Sequence, residues 1–305
     1  MTPGTGLPLL TLLALVACFP APGALARADW PGRAPILALW TWQCLLGAAL
    51  LSLLGALLLG SAVVLADLPA PAPAALGSTG PDAASLWLAP VVTLLAAGAL
   101  WTVRHLAGEL RQARRRDRGQ RAYVAERVPA LPPGLGVGPQ PLLVLEDEYP
   151  DAWRVPGRPY RLVVTTGAMR RLTPGQLDAV LRHERHHVRA RHHWLLRVAA
   201  AFGAAFPRVP LFSTFCAQTH RLVEYAADDD AARPHGHLTT ALALVALNRH
   251  RGVLTCSPDR ARLGDRVHRL LNPGDRIGSP QRALITATSL LLPTLAPLTT
   301  AAVLL

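Results

Sequence analysis

Long uncharged apolar segments lie at both ends of the chain and enclose a more polar central region. The chain is 51% hydrophobic and only 16% charged, which is typical of a membrane protein. Each segment is close to or longer than the roughly 20 apolar residues that cross a bilayer as a helix. We therefore predict a mainly α-helical membrane protein with four transmembrane helices, at about residues 7–25, 36–66, 84–103 and 283–305.

The first apolar segment has two other interpretations. Leu15–Cys18 resembles a lipoprotein box, and Ala24–Ala26 resembles a signal-peptidase site. A secretory signal normally begins with basic residues, and residues 1–6 contain none. We therefore expect this segment to be retained as a membrane span.

The arginines predict the orientation in the membrane, since the chain contains no lysine. A basic juxtamembrane linker, residues 104–140, follows the third span, whereas residues 68–82 carry one acid, Asp82, and no basic residue. Positive residues favour the cytoplasmic side, so the central region is predicted to be cytoplasmic and both termini outside. We therefore expect the basic residues behind the net charge of +12 to contact anionic lipid headgroups. We expect no direct binding of nucleic acid.

The central region, residues 141–282, is long enough for one compact α+β domain. Tyr160–Thr166 is rich in β-branched residues and predicts a strand, whose edge is a candidate site for an extended peptide substrate. Thr173, Pro174 and Gln176 then form a capping box that begins a helix.

The motif His183-Glu184-Arg185-His186-His187 falls on this predicted helix. Residues four apart share one helix face, so His183 and His187 can bind one zinc ion while Glu184 acts as the general base. A catalytic zinc usually has three protein ligands. Glu224 is the best candidate for the third, and Asp228, four residues later, can support a ligating histidine from the second shell. The alternative for these acids is a solvated cluster.

Several nearby residues are weaker candidates. His193 is placed where a metzincin would have its third histidine, but Ala190 replaces the glycine that turns the chain there, so we expect the helix to continue past it. His186 and His192 are interpreted as polar residues on a basic helix. His220 and Tyr225 are candidate hydrogen-bond donors to the transition state.

These motifs together resemble the BlaR and MecR membrane metallopeptidases, which are β-lactam sensor-transducers. The resemblance covers most of the chain and rests on Leu172-Thr173, Ala179–Glu184 with His187, Glu224, Asp228 and Arg269-Leu270-Leu271. It implies a gluzincin-like domain with one Zn²⁺ bound by His183, His187 and Glu224, the base Glu184 and the supporting Asp228. It also implies a helix-turn-helix repressor as a possible substrate. The sequence stops at Leu305 with no extracellular penicillin-binding domain, so the resemblance supports the peptidase and weakens any inference about β-lactams.

The sequence thus predicts an integral membrane zinc endopeptidase that signals by cleaving a cytoplasmic repressor or itself. One alternative is a quality-control or CAAX-prenyl type of zinc protease, which more spans after the metal-binding helix would favour. Another is a membrane signalling scaffold without catalysis, which the intact Glu184 disfavours. The substrate, the stimulus and the oligomeric state are not predicted.

Overall fold

The structure is a computed structural model that describes residues 3–66, 83–127, 142–155, 160–248, 259–274 and 277–304. Over these ranges the chain is mainly helical, with one small sheet. The helices are α1 (Pro3–Cys18), α2 (Pro20–Arg27), α3 (Trp30–Arg33), α4 (Pro35–Ala66), α5 (Ala83–Arg127), α6 (Thr166–Arg171), α7 (Pro174–Arg189), α8 (His192–Ala205), α9 (Pro210–His235), α10 (His237–Asn248), α11 (Asp259–Leu271) and α12 (Ser279–Leu304). The strands are β1 (Leu142–Leu145), β2 (Ala152–Val155) and β3 (Arg161–Thr165).

Three helical segments in the described part of the chain are long and apolar enough to cross a membrane: Gly6–Arg27, Pro35–Ala62 and Ser279–Ala302. They pack together as a bundle of α1, α4 and α12. In its interior, the hydroxyl oxygens of Thr41 and Ser289 lie 2.9 Å apart and join α4 to α12. Small residues and hydroxyl pairs of this kind hold helices together in lipid, where apolar surface alone gives no preference for a neighbouring helix.

The third predicted span, residues 84–103, forms the first part of α5. It is not among the three segments above, so its membrane crossing stays a prediction. Residues 104–127 of the predicted basic linker are helical instead, because α5 continues through them without a break. Val124 near the end of α5 packs on the strands, and Asp117 pairs with Arg197 of α8 at 2.8 Å. This half of α5 therefore belongs to the same domain as the sheet and α8.

The sheet has the order β1-β3-β2, with β1 parallel and β2 antiparallel to β3. Val163 and Val164 of β3 are both fully buried, because the central strand is covered on both faces. The predicted strand is present, but the expectation that its edge is open to substrate is wrong, since β1 and β2 occupy both edges. The strand at the edge next to α7 is β2, a short strand that the sequence analysis did not predict.

The apolar segment after the metal-binding motif forms a hairpin of α8 and the first half of α9. The rings of Phe202 and Phe212 stack across it, with centroids 5.2 Å apart. The opposite side of α9 packs on α4, where Phe215 lies 6.5 Å from Trp42 within one buried cluster. The bundle of candidate spans and the domain that contains α7–α9 therefore share a hydrophobic core.

Gly55 of α4 gives a test of the membrane bundle. A methyl group at this position would lie 2.5 Å from Oγ1 of Thr300 and 3.1 Å from Leu10, so the helices must shift apart. We expect Gly55→Ala to lower the free energy of unfolding in detergent by about 1–3 kcal/mol, measured by thermal or denaturant unfolding.

The matched control is Gly47→Ala on the same helix, where the added methyl would meet Pro293 at an ordinary 3.8 Å. It should leave the midpoint of unfolding nearly unchanged. Equal effects of the two substitutions would contradict the described packing of α1, α4 and α12.

Candidate metal centre

Helix α7 carries the histidines, and its first turn begins as the sequence predicts. The Thr173 hydroxyl accepts a hydrogen bond from the Gln176 amide at 3.3 Å, and the Gln176 side chain accepts one from the Thr173 amide at 3.0 Å. This capping box satisfies two amides that would otherwise lack a partner at the start of the helix. The buried residues Ala179, Val180 and Leu181 then hold α7 against the domain.

The side chains of His183, His187 and Glu224 converge at one point between α7 and α9. The Nε2 atoms of the two histidines are 3.1 Å apart. Glu224 Oε2 lies 3.5 Å from Nε2 of His183, and Oε1 lies 3.4 Å from Nε2 of His187. Among the described residues these three form the group of side chains able to hold a metal ion.

The spacing of these donor atoms fits zinc. Bonds of about 2.0–2.1 Å to nitrogen and oxygen in a tetrahedral site place neighbouring ligand atoms about 3.3 Å apart. The two Nε2 atoms, 3.1 Å apart, are close to that value, and each lies 3.4 or 3.5 Å from one of the two oxygens of Glu224. Two imidazoles and one carboxylate are also the ligand set of many catalytic zinc sites.

Asp228 lies one turn of α9 beyond Glu224 and directly behind the site. Its carboxylate is completely buried, and Oδ1 lies 3.0 Å from Nδ1 of His183. The contact is close but not aligned as a hydrogen bond. A small rotation of the imidazole would align it and fix the ring with Nε2 facing Glu224, which is the supporting role expected from the sequence.

Arg266 of α11 holds both acidic residues, and no pattern in the sequence indicates this role. Its Nε and Nη2 atoms donate to the two oxygens of Asp228 at 2.8 and 2.7 Å, and Nη1 lies 2.9 Å from Glu224. A guanidinium can form this fork because its donors are planar and fixed. Arg266 thus neutralises a buried carboxylate and orients Glu224.

The chain breaks its helix just after the motif, contrary to expectation. Helix α7 ends at Arg189, and Arg191 adopts a left-handed conformation with φ 52°. This conformation is unfavourable for a residue with a Cβ, and it turns the chain so that α8 begins at His192. The Nδ1 atoms of His192 and His187 then lie 2.9 Å apart. His192 is therefore a buried partner of a candidate ligand rather than a surface residue, and its neighbour His193 lines the cavity without joining the three donor atoms.

The electrostatics of the metal-free site favour a proton on His183. Burial opposes its charge, but Asp228 and Glu224 overcome this and raise the pKa of His183 to about 10. Burial and the positive charge of His183 lower the pKa of His187 to about 3. Burial also opposes ionisation of Glu224, yet His183 and Arg266 hold the pKa of that carboxyl well below its usual range. In the metal-free site, His187 is therefore neutral and Glu224 is an anion, whereas His183 must lose a proton to bind zinc.

Glu184 lines a cavity of about 300 Å³ together with the three donor residues. Two other predicted residues are placed elsewhere. His220 is exposed, and Tyr225 is buried in the cluster against α4 with Arg269 over its ring. Neither is among the described residues that line the cavity. Arg266 does line it, but its Nε, Nη1 and Nη2 atoms contact Asp228 and Glu224.

Comparison with known proteins supports the chemistry of the site. Residues 111–225 match peptidase family M48, a zinc-dependent metallopeptidase family, and this range contains His183, Glu184, His187 and Glu224. The match begins inside α5 and supports a membrane-associated metallopeptidase. It does not confirm the BlaR or MecR type. Neither curated proteins nor solved structures give a significant match to this chain.

The proton on His183 makes zinc binding dependent on pH. Below pH 10, zinc must displace this proton before it can bind His183. We therefore expect the zinc affinity of the metal-free protein to rise about tenfold per pH unit between pH 7 and 9. The same proton stabilises the metal-free fold below about pH 6.5, and this contribution is lost as the pH rises through about 10. Competition with a chelator at pH 7, 8 and 9 measures the affinity. Asp228→Asn should flatten the slope, and a slope of zero in the wild type would contradict the assignment.

Replacing Arg266 tests its role behind the ligands. In Arg266→Met the buried Asp228 loses its main counter-charge, so the free energy of unfolding of the metal-free protein should fall by about 3–5 kcal/mol. Saturating zinc should restore more stability to this variant than to the wild type, because the ion supplies positive charge at the same place. Denaturant unfolding with and without zinc measures both effects.

The matched control is Arg233→Met on α9. Arg233 is mostly exposed and lies 3.8 Å from Asp230, so we expect a change below about 1 kcal/mol. An Arg266→Met protein as stable as this control would show that the buried ion pairs do not hold the site.

Proposed function

We propose that this protein is an integral membrane zinc endopeptidase whose catalytic domain faces the cytoplasm. The observation that carries the proposal is the convergence of His183, His187 and Glu224 on one point, in the cavity that Glu184 also lines. A purely structural zinc site has no use for an acidic side chain in an adjoining cavity. The match of residues 111–225 to peptidase family M48 supports the same chemistry.

A zinc ion held by these three side chains would polarise the scissile carbonyl and lower the pKa of water at the site to about 7. Glu184 takes the proton from the attacking water and passes it to the leaving amine. Arg266 holds Glu224 in place through its contact at 2.9 Å and compensates the charge of the buried Asp228. Asp228 and His192 keep the two imidazole rings oriented with Nε2 toward the site.

The proposed orientation rests on the arginines. Many of them follow the third predicted span, in the second half of α5, which packs against the catalytic domain. Positive residues next to a span favour the cytoplasmic side. The domain and the basic half of α5 are therefore proposed to lie in the cytoplasm, with both termini outside.

A cytoplasmic protein or peptide is the proposed substrate. The resemblance to sensor-transducers makes a helix-turn-helix repressor one candidate, and cleavage of the protein itself is the other. Both would couple an event at the membrane bundle to proteolysis, and the core shared by α4 and α9 provides a direct physical connection between them.

The alternative is a quality-control or CAAX-prenyl type of protease, for which additional spans after α7 are expected. In the described residues after α7, Ser279–Ala302 is the segment with the length and composition of a span. This arrangement favours a domain inserted before a last span, as in the sensor-transducers. A non-catalytic scaffold is less favoured, because Glu184 lies in the cavity.

The direct test compares the wild type with Glu184→Gln in nanodiscs. Both proteins should bind about one zinc ion, because Glu184 is not a ligand, whereas cleavage should fall by at least about 10³-fold in the variant, because the general base is lost. Zinc is measured by mass spectrometry of the purified protein, and cleavage with a library of quenched fluorescent peptides and by self-cleavage on gels.

Glu146→Gln, in an exposed position after β1, is the control and should cleave like the wild type. Zinc binding without cleavage in every protein would favour the scaffold. Absence of zinc from the wild type would contradict the proposal itself.

A further inference from the structure

The cavity lining includes both apolar and polar residues. The apolar wall comes from α7 and α10 and includes Val180, Leu244 and Leu247. The polar part of the lining includes Arg154 of β2 and the two histidines that begin α8, His192 and His193. Arg154 is close enough to both histidines to contribute to lowering their pKa values. An extended chain across the cavity would meet two different environments.

The charge of Arg154 has no ion-pair partner among the side chains that the structure describes. Its side chain is half-buried, and within the described ranges no side chain forms an ion pair or hydrogen bond with its guanidinium. The acids that act on it electrostatically are Glu184 and Asp117, and Asp117 is bonded to Arg197 at 2.8 Å. The other cavity arginine, Arg266, is bonded to Glu224 and Asp228. Arg154 is therefore the cavity arginine available to a ligand in this part of the chain.

A guanidinium in this position is costly unless an anion reaches it. Partial burial removes water from the charge without returning a hydrogen bond, and burial lowers the pKa of Arg154. The backbone fixes the location of the side chain, since Arg154 pairs in register with Leu162 of the central strand and its carbonyl accepts a hydrogen bond from Gln120 of α5. The cation is thus mounted on a rigid edge strand next to the proposed base.

We infer that Arg154 binds a carboxylate of the substrate and selects peptides with an acidic group within about three residues of the scissile bond. This inference rests on the proposed endopeptidase function and adds the class of substrate. The carboxylate belongs either to an Asp or Glu side chain or to the free C-terminus of a short peptide. Two N–H donors from one guanidinium match the two oxygens of either group. The apolar wall takes an aliphatic side chain on the other part of the same segment.

The first experiment measures binding, so that it does not depend on turnover. The zinc-loaded Glu184→Gln protein is titrated with fluorescent dodecapeptides from a positional library in which one position is fixed as Glu, Gln or Lys. At one or two positions, Glu peptides should bind about 10- to 100-fold more tightly than Gln peptides. The same peptides with free and amidated C-termini distinguish a side-chain carboxylate from a terminal one.

Substitutions of Arg154 then test whether this residue causes the preference for Glu peptides. Arg154→Gln in the Glu184→Gln background should abolish it, and Arg154→Glu should reverse it in favour of Lys. Arg161→Gln is the matched control, because Arg161 is an exposed arginine on the neighbouring strand β3. It should leave the preference intact.

The second experiment repeats the comparison as cleavage, with Glu184 present. Arg154→Gln should lower kcat/KM for acidic peptides and leave kcat/KM for neutral peptides nearly unchanged. An equal loss of kcat on all peptides would mean that Arg154 acts on Glu184, and it would overturn the inference. Equal binding of Glu and Gln peptides in the first experiment would also overturn the inference about Arg154. Acid-selective binding without any cleavage would instead support the subsite and contradict the proposed enzymatic function.

Discussion

The buried contact between His183 and Asp228 is the interaction on which the site depends. It joins α7 to α9 at a point from which water is excluded, since Asp228 is completely buried. A carboxylate in such a place requires full compensation, and Arg266 of α11 supplies it with two short hydrogen bonds. Three helices are therefore fixed to one another by a single acidic group, and the candidate ligand Glu224 lies one turn away on the same face.

The same helices are bound to the membrane bundle. Tyr225, next to Glu224, belongs to the cluster that contains Trp42 of α4. Arg269 of α11 donates to the carbonyl of Gly32, in the short helix α3 between two candidate spans, at 2.7 Å and also bonds Asp229 of α9. Helix α9, which carries Glu224, thus packs directly on the candidate span α4, and α11, which carries Arg266, is bonded to the short helix between two candidate spans. A movement of these spans would reach the candidate ligands through packed side chains, without a linker between them.

Spacing along one helix allowed much of the site to be predicted from the sequence. Residues four apart share a face, so the pairing of His183 with His187, and of Glu224 with Asp228, follows from the order of residues alone. The start of α7 follows from its capping residues. Asp229 and Asp230 do not share this face and bind Arg269 and Arg182 instead. The edge strand β2 escaped prediction because it is four residues long and carries little alternation.

The residues that were missed depend on tertiary contacts. Arg266 is 38 positions from Asp228, and no periodicity links them. His192 reaches His187 only because Arg191 takes a left-handed conformation, which the sequence around Ala190 does not indicate. His220 shares a helix face with Glu224, but it lies a turn closer to the start of α9 and is exposed. Spacing places residues on a face, and packing decides which of them reach the cavity.

X-ray absorption spectroscopy at the zinc edge of the purified protein tests the central claim most directly. The account predicts one zinc ion with a first shell of nitrogen and oxygen only and with the multiple scattering of two imidazoles. Glu224→Gln should change the oxygen ligand and leave both imidazoles in place. A sulfur ligand, a single imidazole, or a spectrum unchanged by substitution of His183 and His187 would contradict the proposed metal centre.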